Sequence, residues 1–247
     1  MKRTATKIVA LAGALAVGLG GIATAAPPAR KAFAQVLADP SRPAADVARD
    51  ADRKPAELLA FAGVRKGMQV AELAPGGGYF TRILAAAVGK TGHVYAVAAR
   101  PSPALQEFAK QNSNVTIVTG APGTIPVPGK VDLVWTTLNY HDFKNSKLPT
   151  GDAASAFDAE AFRVLKPGGI YLVADHEAAP GAGATQTSTL HRIESKVVRQ
   201  EVEAAGFKLE AQSNLLRHAA DDHTVKVVEA GIRGKTDQFV LKFRKPR

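Results

Sequence analysis

Short apolar runs along the chain alternate with longer segments in which apolar residues recur every three to four positions. Residues 68–73 form the first apolar run. Phe80, Ile83, Leu84, Ala87 and Val88 then fall on one face of a helix that Gly89 ends. The same reading predicts strands over 93–97, 115–118, 131–138 and 170–175. Between them it predicts a helix near 103–111, a Gly/Pro loop over 120–129, and a helix over 153–165 that stops at Lys166-Pro167-Gly168-Gly169. Upstream, 29–63 reads as helical with a break around Asp39-Pro40-Ser41-Arg42-Pro43, and Pro55 suits a first helical turn. Downstream, a helix over 195–205 stops at Gly206, and strands over 207–216 and 238–243 close the chain as a hairpin-like edge. Strands and helices taking turns predict an α/β fold around a mostly parallel sheet.

The first residues follow a different pattern. Lys2, Arg3 and Lys7 precede an apolar and glycine run over 8–22, which ends in Ala23-Thr24-Ala25 with Pro27-Pro28 after it. A basic start, an apolar stretch shorter than the roughly 20 residues of a membrane span, and a small-x-small exit are the marks of a signal peptide. The expected organisation is 1–25 signal peptide, 26–50 N-terminal helical lead-in and one main domain over 51–247. The expected location is periplasmic or secreted, with no stable membrane insertion once the signal is removed.

Composition narrows the chemistry. The 247 residues carry a formal charge of +10 and no cysteine. Disulfides, thiolate metal sites and catalytic thiols are therefore excluded. The expected signal holds three of the positive charges, leaving +7. The basic tail over 242–247 lacks a basic helix or a ladder of stacking aromatics, so it reads as a solvated strand end and no nucleic-acid partner is expected. Trp135, Tyr95 and Phe162 sit in apolar patterns and read as core.

The most informative stretch is Val70 to Thr81, VAELAPGGGYFT. A strand runs into three glycines and directly into an amphipathic helix. Such a turn lets a ligand approach the backbone at a helix N-terminus. Glu72, four residues before Gly76, disfavours a pyrophosphate by like-charge repulsion and favours a cationic or hydroxyl-bearing ligand. Glu72-x-Ala74-x-Gly76-x-Gly78 resembles motif I of the class I S-adenosylmethionine-dependent methyltransferases, with Ala74 in place of the usual first glycine. Tyr79-Phe80-Thr81 is similar to the continuation in the isoaspartyl-methyltransferase-like branch, and Leu165-Lys166-Pro167-Gly168-Gly169 to a turn of the same superfamily. More narrowly, Asn139-Tyr140-His141-Asp142, Asp175-His176, His191-Arg192, the run from Glu203 to Phe207 and the run from Arg233 to Asp237 resemble a family of exported bacterial proteins of predicted methyltransferase type.

This resemblance, which runs from about Asp50 to the end, implies a Rossmann-like seven-stranded, mostly parallel sheet with an antiparallel last strand. It implies S-adenosylmethionine as cofactor, bound by Glu72, Ala74, Pro75, Gly76, Gly78, Tyr79, Ala98 and Asn139. The implied reaction is methyl transfer to an oxygen or nitrogen of a small molecule in the cell envelope. The pattern departs from the family in two places. Ala98-Ala99-Arg100 after the second strand lacks the acid that usually binds ribose, and 119–123 lacks the acid that often meets adenine; Asp132 and Asn139 are the candidate substitutes. These gaps favour the alternative of an exported, non-catalytic small-ligand-binding protein that retains the fold.

On that topology His141, Asp142, His176 and His191 fall beyond the strand ends, and His218 and His223 lie in the connection between the last two strands. All five histidines are expected to border one cleft, with His141 and His176 as the substrate-side acid/base residues. No close ligand spacing such as H-x-x-x-H occurs, so no metal site is expected. The small-residue stretch 178–189 suits either a lid or a surface loop.

Overall fold

The structure, a computed structural model, describes residues 28–247, with side chains from residue 31 onward. The expected signal over 1–25 lies outside the described residues. Among these, no helix is long and apolar enough to cross a membrane.

Four short helices open the fold: α1 (Pro28–Leu37), α2 (Ala44–Val47), α3 (Asp50–Arg53) and α4 (Pro55–Ala62). Then follow β1 (Gln69–Leu73), α5 (Tyr79–Val88), β2 (His93–Val97), α6 (Pro103–Gln111), β3 (Val115–Val118) and β4 (Val131–Thr137). The second half holds α7 (Tyr140–Asn145), α8 (Ala153–Val164), β5 (Leu165–His176), α9 (Ser195–Ala204), β6 (Lys208–Ser213) and β7 (Gln238–Arg244). The strands form one sheet in the order β3-β2-β1-β4-β5-β7-β6. Only β7 runs against its neighbours, pairing antiparallel with both β5 and β6. This is the expected seven-stranded architecture.

Alternation along each central strand divides the core into two layers. Val70, Leu133, Trp135, Leu172, Ala174 and Val240 face one side and pack with Leu58, Leu59, Phe80, Ile83 and Leu84 of α4 and α5. Ala71, Leu73, Val134, Tyr171, Val173, Leu241 and Phe243 face the other side and pack with Phe157, Ala161, Val198 and Val202 of α8 and α9. Trp135 is fully buried, and Phe162 and Tyr95 are partly buried against the second layer.

Three boundaries differ from the sequence reading. α8 ends at Val164, and Lys166-Pro167-Gly168-Gly169 belongs to β5 rather than preceding it. Pairing with β4 resumes at Leu165 and slips before Ile170, so these residues bulge out of the ladder while strand geometry continues. Asn139-Tyr140-His141-Asp142, expected as loop, caps and begins α7. The penultimate strand is shorter than expected, covering 208–213.

The basic tail is spent within the fold. Lys245 Nζ donates to the Phe162 and Leu165 carbonyls, Arg244 pairs with Glu210, and Lys242 pairs with the same carboxylate at 2.8 Å. The small-residue stretch after β5 is likewise tied down. Gly183 N–H donates to Glu194 Oε2, and Thr187 Oγ1 donates to Asn145 Oδ1.

Candidate active site

The cleft lies at the C-terminal ends of β1 and β4, where the backbone leaves the sheet. After β1, Ala74, Gly76 and Gly78 have φ of +50°, +57° and +83°, and Gly78 then caps α5. Glycine enters the left-handed region without a Cβ penalty; Ala74 does so with one. After β4, Leu138 is also left-handed, at φ +61°, with its N–H held by the Ala174 carbonyl. Two non-glycine residues in this region flank one opening, which is where backbone strain tends to collect.

The opening has two lobes. A smaller one of about 220 Å³ is lined by Glu72, Ala74, Pro75, Gly76, Gly77, Tyr79, Phe80 and Asn139, together with Asp46, Arg49 and Arg53 from the N-terminal helices. A larger one of about 490 Å³ is lined by His176, Gln238, Asp52, Val227, Val228 and Arg233. Arg49, Arg53 and Leu138 line both lobes, so the two are halves of a single cleft.

Most of the residues expected to bind a cofactor are thus brought together. Glu72, Ala74, Pro75, Gly76, Tyr79 and Asn139 line the smaller lobe, and Gly78 supplies the turn beneath it. Ala98 does not line either lobe; it is buried with Ala96, Leu105 and Ile117. Asp132 is also misplaced as a substitute acid. It accepts from Gln69 N–H at 2.8 Å, at the N-terminal end of β1, opposite the cleft. On the β2 side, Ser102 Oγ reaches the glycine turn and donates to the Gly76 carbonyl at 3.1 Å.

The smaller lobe holds both signs of charge. Glu72 is 3% exposed, and burial pushes its carboxyl up to about 7 even though Thr81 Oγ1 donates to it at 2.6 Å. Arg53 is lowered to about 10 by burial and then by the neighbouring Arg49. Among the described residues neither arginine forms an ion pair; both lie over the Tyr79 ring, at 4.6 and 5.1 Å from its centre. The Tyr79 hydroxyl donates to Asp50, which Arg42 also grips, and Arg82 holds Asp46. The sequence pattern places Arg49 in the 26–50 lead-in and gives Arg53 no role, because the ring both lie over, Tyr79, is remote in sequence.

The histidines do not all border the cleft as expected. His176 lines the larger lobe, with Nδ1 2.7 Å from Thr236 Oγ1, and burial lowers its pKa to about 4, leaving the ring neutral at pH 7. His141 stands one ring behind, 5.8 Å from His176 between centres, and lines neither lobe. Its Nδ1 is 2.8 Å from Asp175 Oδ1, and its Nε2 faces His191 and Asp142. His218 and His223 are engaged at Asp237: His218 N–H donates to Oδ1, and His223 Nε2 lies 2.9 Å from Oδ2. They fall out of the cleft because Asp237 gathers the 214–237 connection around itself.

A family model described as a methyltransferase domain matches residues 71–173. No curated protein matches the chain. Several solved structures share its fold. A SAM-dependent methyltransferase from Aquifex aeolicus is 19% identical, with 87% of this chain and 97% of that one covered at a TM-score of 0.58. The N-methyltransferase NodS from Bradyrhizobium japonicum is 14% identical, with 79% and 96% covered at 0.58. Fibrillarin from Aeropyrum pernix, in complex with natively bound S-adenosyl-L-methionine, is 16% identical, with 79% and 76% covered at 0.52. The chain therefore has the class I methyltransferase fold, and the matched domain runs from β1, just before the glycine turn, into β5.

Proposed function

We propose that this chain is a class I S-adenosylmethionine-dependent methyltransferase that acts on an oxygen or nitrogen nucleophile of a small molecule. The observation that carries the proposal is the smaller lobe, where an exposed glycine turn meets charges of both signs. A Cβ built on Gly76 or Gly77 meets no atom within 4 Å, so the backbone there is open to a ligand. S-adenosylmethionine ends in a zwitterionic amino acid beside a sulfonium, and the lobe offers Arg49 and Arg53 for the carboxylate and Glu72 for the cationic groups. When bound, the cofactor supplies a methyl group already activated by its sulfonium leaving group.

The residues of the larger lobe then have to align an acceptor and keep water away from it. His176 on its wall is a neutral imidazole, the form that accepts a hydrogen bond from a hydroxyl or amine. Thr236 fixes that ring through Nδ1. Leu138, Val227 and Val228 supply apolar wall, and Arg233 adds a positive group at the rim. The signal-like pattern of 1–25 supports a site of action outside the cytoplasm, in the cell envelope.

Arg53→Ala tests the assignment. S-adenosylmethionine affinity should fall by about tenfold or more, while 5′-methylthioadenosine, which lacks the amino-acid end, should bind the variant and the parent alike. Equal loss for both ligands would assign Arg53 to a general structural role instead. The alternative of a non-catalytic ligand-binding protein draws its support from Ala98-Ala99-Arg100, which leaves no acid at the end of β2.

A further inference from the structure

We propose that His141, Asp142 and His191 form a binding site for a divalent transition-metal ion of the zinc class. The inference does not depend on the methyl-transfer reading. His141 Nε2, Asp142 Oδ1 and His191 Nδ1 are mutually adjacent: the two nitrogens are 3.3 Å apart, and the carboxylate oxygen lies 3.4 Å from His141 and 3.2 Å from His191. Tetrahedral zinc with bonds of 2.0–2.1 Å places its ligand atoms roughly 3.3 Å from one another. The three atoms therefore form one nearly equilateral face of such a tetrahedron, and the fourth position is left for water or a ligand.

The surroundings suit this role. Asp175 lies at 2.8 Å from His141 Nδ1 and accepts the hydrogen bond of a proton carried there, which leaves the Nε2 lone pair directed at the site. A carboxylate behind a metal-bound imidazole is the usual orienting partner. His191 is held at φ +56°, a conformation few non-glycine residues adopt without compensation. The next residue, Arg192, is fully buried and grips Asp221 through two bonds of 2.8 and 2.9 Å, which fixes the segment that carries His191. On the other side, Thr187 donates to Asn145 and ties the same segment to α7. Asp142 is 52% exposed at its side chain, so an ion has a path from solvent.

Two imidazoles with one carboxylate favour zinc, cobalt, nickel or copper over magnesium or calcium, which prefer all-oxygen shells. The ligands come from two segments about 50 residues apart, which is why no short spacing announces them. The competing account is a proton on His191 Nδ1 shared between His141 and Asp142. It explains the same contacts without an ion.

The test uses the purified chain without a histidine tag, stripped with a chelator and titrated with Co²⁺ and Zn²⁺. Expected is one Co²⁺ per chain with the intense visible absorption of tetrahedral cobalt, displaced by one Zn²⁺ at micromolar concentration or below. Asp142→Ala and His191→Ala should each weaken binding by about 100-fold or more, while His93→Ala on β2 should leave it unchanged. Near-ultraviolet circular dichroism checks that the variants are folded; Asp142 and His191 are accessible enough for that to be expected. No tetrahedral cobalt spectrum, or zinc binding that survives His191→Ala, would overturn the site in favour of the shared proton.

Discussion

Asp175 receives His141 twice, the backbone N–H on Oδ2 and the ring Nδ1 on Oδ1, both at 2.8 Å. The His176 backbone N–H also donates to Oδ1. These bonds join the end of β5 to the first turn of α7 and hold the carboxyl below its ordinary value in spite of complete burial. Asp175→Asn keeps the volume but turns an amide toward groups that need an acceptor. Equilibrium urea unfolding at pH 7 should show a loss of about 3 kcal/mol, with no change in m-value.

Ala74 has the opposite character. It sits at φ +50° in a turn where a glycine would carry no Cβ penalty. Ala74→Gly relieves about 1–2 kcal/mol of left-handed strain and gives back part of it as unfolded-chain entropy. The expected net gain is about 0.5–1 kcal/mol, read as a higher denaturation midpoint.

Glu72 makes stability depend on pH with a definite sign. Its ordinary value is 4.5 and its folded value is about 7, so between those limits the unfolded chain ionises while the folded chain keeps the proton. Stability from this group is full below pH 4.5 and is lost as pH rises toward 7. Glu72→Gln lacks that loss. Relative to the parent, the variant should gain up to about 3 kcal/mol between pH 4.5 and 7.5, measured by unfolding at a series of pH values.

Arg192 and Asp221 form the most buried ion pair of the 178–237 region, with side chains 0% and 3% exposed. Arg192 also donates to the Glu177 and Val225 carbonyls. Arg192→Met leaves the buried Asp221 charge with backbone N–H donors from His223 and Asp237 but no cation, at a cost of about 3–5 kcal/mol. Arg192→Lys restores the charge but not the two-pronged geometry, and should recover only part of that loss in the same measurement.

The sheet was legible because its information is local. Val70 through Val88 carry their own change of pattern, from a short run buried on both faces to a helical face, and the glycines mark where it happens. Helix stops at Gly89 and Gly206 were equally local. What escaped the sequence depended on distant partners. Nothing near Arg49 or Arg53 announces that they will lie over Tyr79, because α2 and α3 are four-residue helices placed by Arg42, Asp46 and Asp50. Lys166 to Gly169 looked like a boundary because Pro and Gly usually end pairing, whereas here they bulge within a strand whose ends stay paired. The histidines were separated by Asp175 and Asp237, two acids that each collect their own neighbours.

Calorimetry of the purified chain with S-adenosylmethionine and with S-adenosylhomocysteine tests the central claim most directly. The smaller lobe predicts saturable binding of both at micromolar concentration, with S-adenosylmethionine uptake near pH 7 releasing a fraction of a proton as Glu72 ionises beside it. No binding of either compound at millimolar concentration would contradict it.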